Sequence, residues 1–201
     1  MSERPILDVT ELPAWGYASK STPWWGTLGF IAIEGSGFAL AVGMYLYLAA
    51  VNPKWPLGPP PDTLWPGTAL AMLLIMSLIP NWWANKVALR QDLRATQIGL
   101  IFMSVVGLAT IALRGFEIAN LNFRWDTSAY GSIVWFILGL HATHLITDVA
   151  DTIVLAVLMF TRHAQPRRFS DVTDNAFYWT FVVVSWLPLY ALVYWVPRLS
   201  E

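Results

Sequence analysis

The sequence predicts an all-α, polytopic membrane bundle of five transmembrane helices, with its N-terminus cytoplasmic and its C-terminus outside. Composition is the first reason. Apolar residues make up 56% of the 201 and charged residues only 12%, with a mean hydropathy of +0.52. A soluble domain of this size needs about twice that charge to coat its surface. The second is the set of long apolar runs, because a helix crossing a hydrocarbon layer of ~30 Å needs about 20 apolar residues. The third is a lopsided distribution of Lys and Arg between alternate loops.

The elements follow in order. Residues 1–23 form a cytoplasmic N-terminal segment, and residues 24–198 form the transmembrane domain. The first span covers about 26–50 and has Glu34 as its one charge. A connector rich in proline (Pro53, Pro56, Pro59, Pro60, Pro61) follows; it cannot be helical. The second span covers about 67–84, with Pro80 near its end, and Asn85 to Arg94 return the chain to a third span, about 96–118. The fourth, about 130–160, is the longest. The fifth, about 176–196, lacks charge altogether.

Arg4, Lys20, Lys86, Arg90, Arg94, Arg162, Arg167 and Arg168 fall on one side of this arrangement, against Lys54, Arg124 and Arg198 on the other. The positive-inside bias therefore places the N-terminus and the even-numbered loops in the cytoplasm. Tryptophans near span ends (Trp24, Trp25, Trp65, Trp82, Trp83, Trp195) match an interfacial belt. The sequence has no internal repeat, and five spans do not divide into the halves of a repeat-built transporter.

Composition also excludes functions. The net charge of −1 argues against a nucleic-acid partner. With no cysteine, disulfides, zinc–thiolate centres, iron–sulfur clusters and a thiol nucleophile are ruled out. Residues 1–20 lack the basic start, short apolar core and cleavage site of a signal peptide, so the chain is expected to start as it matures.

Ionisable residues within spans are costly, by roughly 2.5–3.5 kcal/mol at the bilayer centre, and normally face protein and serve a purpose. Here they are Glu34, Arg114, Glu117, His141, His144, Asp148 and Asp151. The last four, spaced +3, +4 and +3, share one stripe of the fourth helix. Leu140, Ile146, Val149, Ile153 and Leu155 remain for lipid or apolar neighbours. Arg114 and Glu117 share a face of the third helix. Matching depths at ~1.5 Å per residue predicts two polar layers, Glu34 with Asp148 and Asp151, and Arg114 and Glu117 with His141 and His144.

Three readings compete for this network. A metal or haem site needs more ligands than three histidines supply, with His163 at the cytoplasmic edge; two histidines one turn apart cannot clamp both faces of one haem. A proton path would use the same Asp, Glu and His chemistry. An interhelical hydrogen-bond network would simply fix packing in lipid. No catalytic residue and no metal ligand is assigned. A hydrolase lacks support, since no Gly-x-Ser-x-Gly occurs and Ser104 and Ser132 have no base on their own helices.

The order of motifs resembles the cytochrome c oxidase subunit III family of the haem–copper oxidases. Gly29 to Gly35 reads Gly-Phe-Ile-Ala-Ile-Glu-Gly, with Glu34 matching that family's lone glutamate in its third helix. Arg114 to Glu117 stands where the family has Gln-x-x-Glu-Tyr. Tyr130-Gly131-Ser132, then Gly139-Leu140-His141-Ala142-Thr143-His144, is similar to the family's Tyr-Gly-Ser and Gly-Phe-His-Gly-x-His-Val. The fifth span, from Phe177-Tyr178-Trp179-Thr180-Phe181-Val182 to Trp186, Tyr190, Tyr194 and Trp195, is similar to Trp-Tyr-Trp-His-Phe-Val-Asp-Val-Val-Trp and the tyrosines that follow. The likeness runs from about Pro23 to Arg198.

Departures are specific. Thr180 replaces a histidine, Val183 an aspartate and Arg114 a glutamine, while Asp148 and Asp151 lie outside the family pattern. Family members usually have seven helices, so the resemblance implies a short form without the first two. Those two form one arm of a lipid-holding cleft. Removing a pair of helices leaves the orientation unchanged.

The resemblance implies a non-catalytic subunit III of a respiratory haem–copper oxidase in the cell's inner (plasma) membrane. It would carry no cofactor itself. Haem and copper would sit in the catalytic partner subunit, with other oxidase subunits and membrane lipid, phospholipid included, as further partners. Its role would be to support oxygen reduction and proton uptake. Two alternatives stand beside this reading: an accessory subunit of a nitric oxide reductase, and a stand-alone proton-coupled carrier. A third is a small membrane enzyme with a metal at His141 and His144.

Overall fold

The computed structural model describes residues 22–161 and 166–199. Arg4, Lys20, Arg162 and His163, and with them nearly all of the N-terminal segment, lie outside the described residues; so does the Arg167 side chain. Among the described residues, five helices are long and apolar enough to cross a membrane. They are α1 (Thr22–Val51), α2 (Trp65–Leu89), α3 (Leu93–Ala119), α4 (Ala129–Met159) and α5 (Pro166–Tyr190). A π-helical turn (Ala191–Trp195) and a short α6 (Val196–Leu199) extend the last of them.

The helices outrun the apolar stretches at several ends. α2 passes through Pro80 and continues over Asn85, Lys86 and Val87 to Leu89. α5 begins at Pro166, ten residues before its uncharged stretch. Proline at a helix start has a preset φ and lacks only an N–H that would be unpaired there. Arg168 and Asp171, three apart and 2.8 Å between charged atoms, pair along the same first turns. Apolar content marks what lies in lipid, whereas hydrogen bonding decides where a helix stops.

Starts and turns have local causes. Asp92 Oδ1 accepts from Ala95 N at 3.1 Å and caps α3, and Ser128 Oγ accepts from Gly131 N at 3.0 Å and caps α4. Each satisfies an otherwise orphaned amide. The α2–α3 turn closes through Gln91 at φ 55°. At the opposite end, the proline-rich loop lies against the α3–α4 loop. Asn122 Nδ2 donates to Pro60 O at 3.1 Å and to Asp62 Oδ1 at 2.8 Å, and Arg198 donates to Pro61 O.

α2, α3, α4 and α5 form a closed ring of neighbours, while α1 leans on α4 and α5. The core between them is aromatic and aliphatic, with Trp179, Trp186, Tyr45, Tyr130 and Tyr194 fully buried. Large apolar side chains such as Ile79, Val105 and Ile146 point outward, as a lipid-facing surface requires. Close approach depends on small residues. A methyl group added at Gly107 of α3 would lie 2.5 Å from Val149 Cγ2 of α4. Of the residues left for lipid or apolar neighbours, Val149 is therefore buried, and Leu155 is buried too, whereas Ile146 and Ile153 are exposed. Gly99 similarly admits Ala84 and Trp83 of α2.

Polar side chains join the helices inside this ring. Trp179 Nε1 donates to Ser77 Oγ at 2.8 Å, Asn81 Nδ2 donates to Ala176 O at 2.8 Å, and Gln97 Nε2 donates to Met159 O at 2.7 Å. Such bonds replace the water that lipid cannot supply.

Candidate functional site: two intramembrane polar clusters

The seven ionisable residues separate into two clusters, divided differently from the layers that depth predicts. The first lies towards the end that holds the proline-rich loop. Arg114 and Glu117, one turn apart on α3, are both 2% exposed and pair at 2.6 Å. Arg114 Nη2 meets His141 Nδ1 of α4 at 2.9 Å, and the other ring nitrogen of His141, Nε2, faces Val182 O of α5 at 3.1 Å. Tyr194 of the π-helical turn donates to Glu117 Oε1 at 2.5 Å. The guanidinium lies 3.8 Å from the centre of the Trp186 ring, whose negative face suits a cation. One ion pair thus joins α3, α4 and the end of α5.

Tyr194 reaches Glu117 because α2 has no side chain in the way. A methyl group at Gly67 would sit 2.5 Å from the tyrosine ring. The π-helical turn adds a residue to the helical repeat, which shifts every later side chain around the axis. Pro188 precedes it within α5 and has no N–H for the carbonyl one turn back.

The second cluster lies towards the other end, where α1, α4 and α5 meet around Glu34. Tyr178 of α5 donates to Glu34 Oε2, and His144 Nε2 is 3.5 Å from Glu34 Oε1. His144 thus belongs with Glu34 and not with Arg114 and His141. The +3 step from His141 turns it by about 300° around α4, towards α1, and depth alone does not register that rotation. Its Nδ1 is turned to Leu140 O at 2.7 Å.

Asn175 of α5 bridges the aspartates. Its Nδ2 donates to Asp148 Oδ1 at 2.9 Å and to Asp151 Oδ2 at 3.2 Å, while its Oδ1 accepts from Thr152 at 3.1 Å. Asp148 is 2% exposed, and its Oδ2 has no hydrogen-bond partner. Asp151, expected within the buried network, is exposed. One turn beyond Asp148, the α4 face has rotated past α5 and reached the rim of a cavity. That cavity, about 390 Å³, is lined by Glu34, Asp148 and Asp151 together with Asp171, Asp174 and Tyr178.

Among the described residues no three His, Cys, Asp or Glu side chains are placed to hold a metal ion. Sequence spacing singled out the charged members but missed Tyr178, Tyr194, Asn175 and Trp186 as their partners. The available signal was the recurrence of polar-tipped side chains along one face of an otherwise apolar fifth span. Thr180, which stands in place of a histidine of the resembled family, accepts from Asn81 Nδ2 at 3.2 Å, and Val183 is fully buried.

Comparison with known proteins agrees with the motif order. A family model described as cytochrome c oxidase subunit III matches residues 32–198. Among curated relatives, cytochrome c oxidase subunit 3 of Drosophila yakuba is 27% identical over 123 residues, covering 61% of this chain and 47% of the relative. The protein of that name from Pylaiella littoralis is 24% identical over 166 residues, covering 79% and 61%. That from Artemia franciscana is 27% identical over 183 residues, covering 85% and 68%. The chain spans about half to two thirds of the length of these relatives. With the match extending across all five helices, this chain belongs to the cytochrome c oxidase subunit III family.

Proposed function

We propose that this chain is a non-catalytic companion subunit of a respiratory haem–copper oxidase, held beside a catalytic subunit that carries the haem and copper. It stabilises that subunit and sustains its oxygen reduction and proton uptake. The complex lies in the inner (plasma) membrane, with the N-terminus of this chain on the cytoplasmic side. Family membership supports the assignment, and one observation on the polar residues supports the division of labour. Both ring nitrogens of His141 are engaged, by Arg114 and by Val182 O, and those of His144 face Leu140 O and Glu34. Histidine rings placed in this way tie helices together, and that of His141, held at both nitrogens, has no lone pair left for a metal.

The test is purification of the tagged chain from its own membranes in mild detergent. A haem-bearing, copper-containing partner should elute with it, and the chain separated from that partner should show neither haem absorbance nor stoichiometric metal. Elution without any haem protein, under conditions that keep membrane complexes intact, would remove the companion reading.

A further inference from the structure

The basic side chains are not all used alike. Arg114 pairs with Glu117, Arg124 with Asp126 and Arg168 with Asp171, while Arg198 donates to Tyr194 O and Pro61 O. Apart from Lys54 in the proline-rich loop, the cations without an ion pair among the described residues are Lys86, Arg90 and Arg94. All three belong to the α2–α3 turn.

Lys86 and Arg90 are one turn apart at the end of α2, and Arg94 is the second residue of α3. The turn is tight. Asp92 N donates to Val87 O at 3.2 Å and Gln91 N to Ala88 O at 2.9 Å, and further in Gly99 lies against Ala84 and Trp83. The last turn of α2 and the first of α3 therefore run side by side, with three exposed cations at one end. Asp92, the carboxylate in the turn, accepts from Ala95 N. Local helix chemistry does not account for Arg94, because the first turn of a helix disfavours a cation.

Inward of these charges the surface turns apolar. Every exposed side chain of α2 from Met72 to Trp83, and of α3 from Ile98 to Leu108, is hydrophobic. On α3, Ile98, Phe102 and Val105 follow Arg94 at steps of four, four and three, and on α2 Trp82 and Ile79 follow Lys86 at steps of four and three. Lys86 Nζ lies 4.7 Å over the Trp82 ring. From Arg94 to Val105 the stripe measures roughly 17 Å, about the depth of one leaflet.

We propose that the α2–α3 turn binds an anionic phospholipid, its headgroup charge held by Lys86, Arg90 and Arg94 and its acyl chains laid along the apolar stripe. Charge and shape together choose this occupant. The surface calls for an anion joined to one leaflet's depth of hydrocarbon. Arginine side chains grip phosphate with paired hydrogen bonds, and basic clusters at the end of a membrane helix draw anionic lipid. A zwitterionic lipid carries its own amine, which offsets the phosphate and leaves no net charge for three cations. Hydrocarbon already covers the stripe in a membrane, so an acidic headgroup completes the match without a further chain. The site is built from this chain alone and does not depend on the companion reading.

The test uses the protein purified in mild detergent with whatever subunits accompany it, placed in nanodiscs of phosphatidylcholine. Phosphatidylglycerol or phosphatidylcholine, each with the same photoreactive group at the head end of an acyl chain, is included in equal small amount. After irradiation, peptides from the end of α2 and the start of α3 should carry about tenfold more of the anionic probe than of the zwitterionic one. With Lys86→Gln, Arg90→Gln and Arg94→Gln together, the two probes should label about equally. Arg90→Lys with Arg94→Lys should keep most of the preference, and Arg124→Gln, at the opposite end, should leave it unchanged. The substituted side chains are exposed, so the variants should melt as the parent does. Equal labelling of the parent by the two probes, or a preference that survives the triple variant, would overturn the proposal. So would a photo-cross-linking amino acid at the exposed Leu89 that joins a neighbouring subunit and not lipid.

Discussion

The Tyr194 hydroxyl donates to Glu117 across 2.5 Å and ties the π-helical end of α5 to α3 over the bare backbone of α2. Gly67→Ala tests that passage. The new methyl would fall 2.5 Å from the ring, so the tyrosine must move. Overpacking of this kind costs about 1–3 kcal/mol. Tyr194→Phe should cost a comparable amount, about 1–3 kcal/mol, because Glu117 loses a buried donor. Combining the two should cost less than their sum, since the same bond is lost in each. Thermal unfolding in detergent measures all three, and strict additivity would show that the contacts are independent.

Arg114 and Glu117 should be safer to lose together than apart. Removing one member of a buried pair costs about 3–5 kcal/mol, while replacing both with apolar residues of similar volume is often near neutral. Arg114→Met alone should therefore destabilise the chain strongly, and Arg114→Met with Glu117→Leu should recover most of the loss. Equal melting temperatures for the single and double variants would contradict the pairing.

Contact between α3 and α4 is expected to tolerate a swap of volume but not an addition. Gly107→Ala places a methyl 2.5 Å from Val149 Cγ2 and should cost about 1–3 kcal/mol. Val149→Ala removes the obstructing methyl groups. Adding it to Gly107→Ala should restore part of the stability, as read from the denaturation midpoint. A double variant weaker than either single one would place the clash elsewhere.

Glu34 offers a contrast between shape and charge. Glu34→Ala strips Tyr178 and His144 of their shared partner and should cost about 1–3 kcal/mol. Glu34→Gln keeps an oxygen for Tyr178 to donate to, so its fold should lie closer to the parent. If the glutamine variant melts with parental stability but co-purifies with less partner, the negative charge acts between subunits and not within this one.

Much of the architecture was legible in the residues alone, because membrane insertion leaves few choices. Long apolar runs must be helical where no water can satisfy the backbone, so the five spans and their order could be read directly. The candidate residues could also be found, since a charge such as Glu34 or Asp148 stands out in an apolar run. Their partners were harder to see. A +3 step and a +4 step both keep two residues on one broad face, yet on α4 they send His141 to Arg114 and α5, and His144 to Glu34 and α1.

The sequence by itself determined that this is a five-span, cysteine-free helical membrane chain with a few costly polar groups, and through its motif order it pointed to the subunit III family. Tertiary structure alone decided how those groups are shared out: an ion pair sealed between α3, α4 and the end of α5, and an acidic cavity left open beside α1. The reason is physical. Hydrophobicity along one helix sets what enters lipid, whereas the pairing of polar groups depends on how neighbouring helices are rotated. Small residues such as Gly67 and Gly107, and the π-helical turn before Val196, set that rotation.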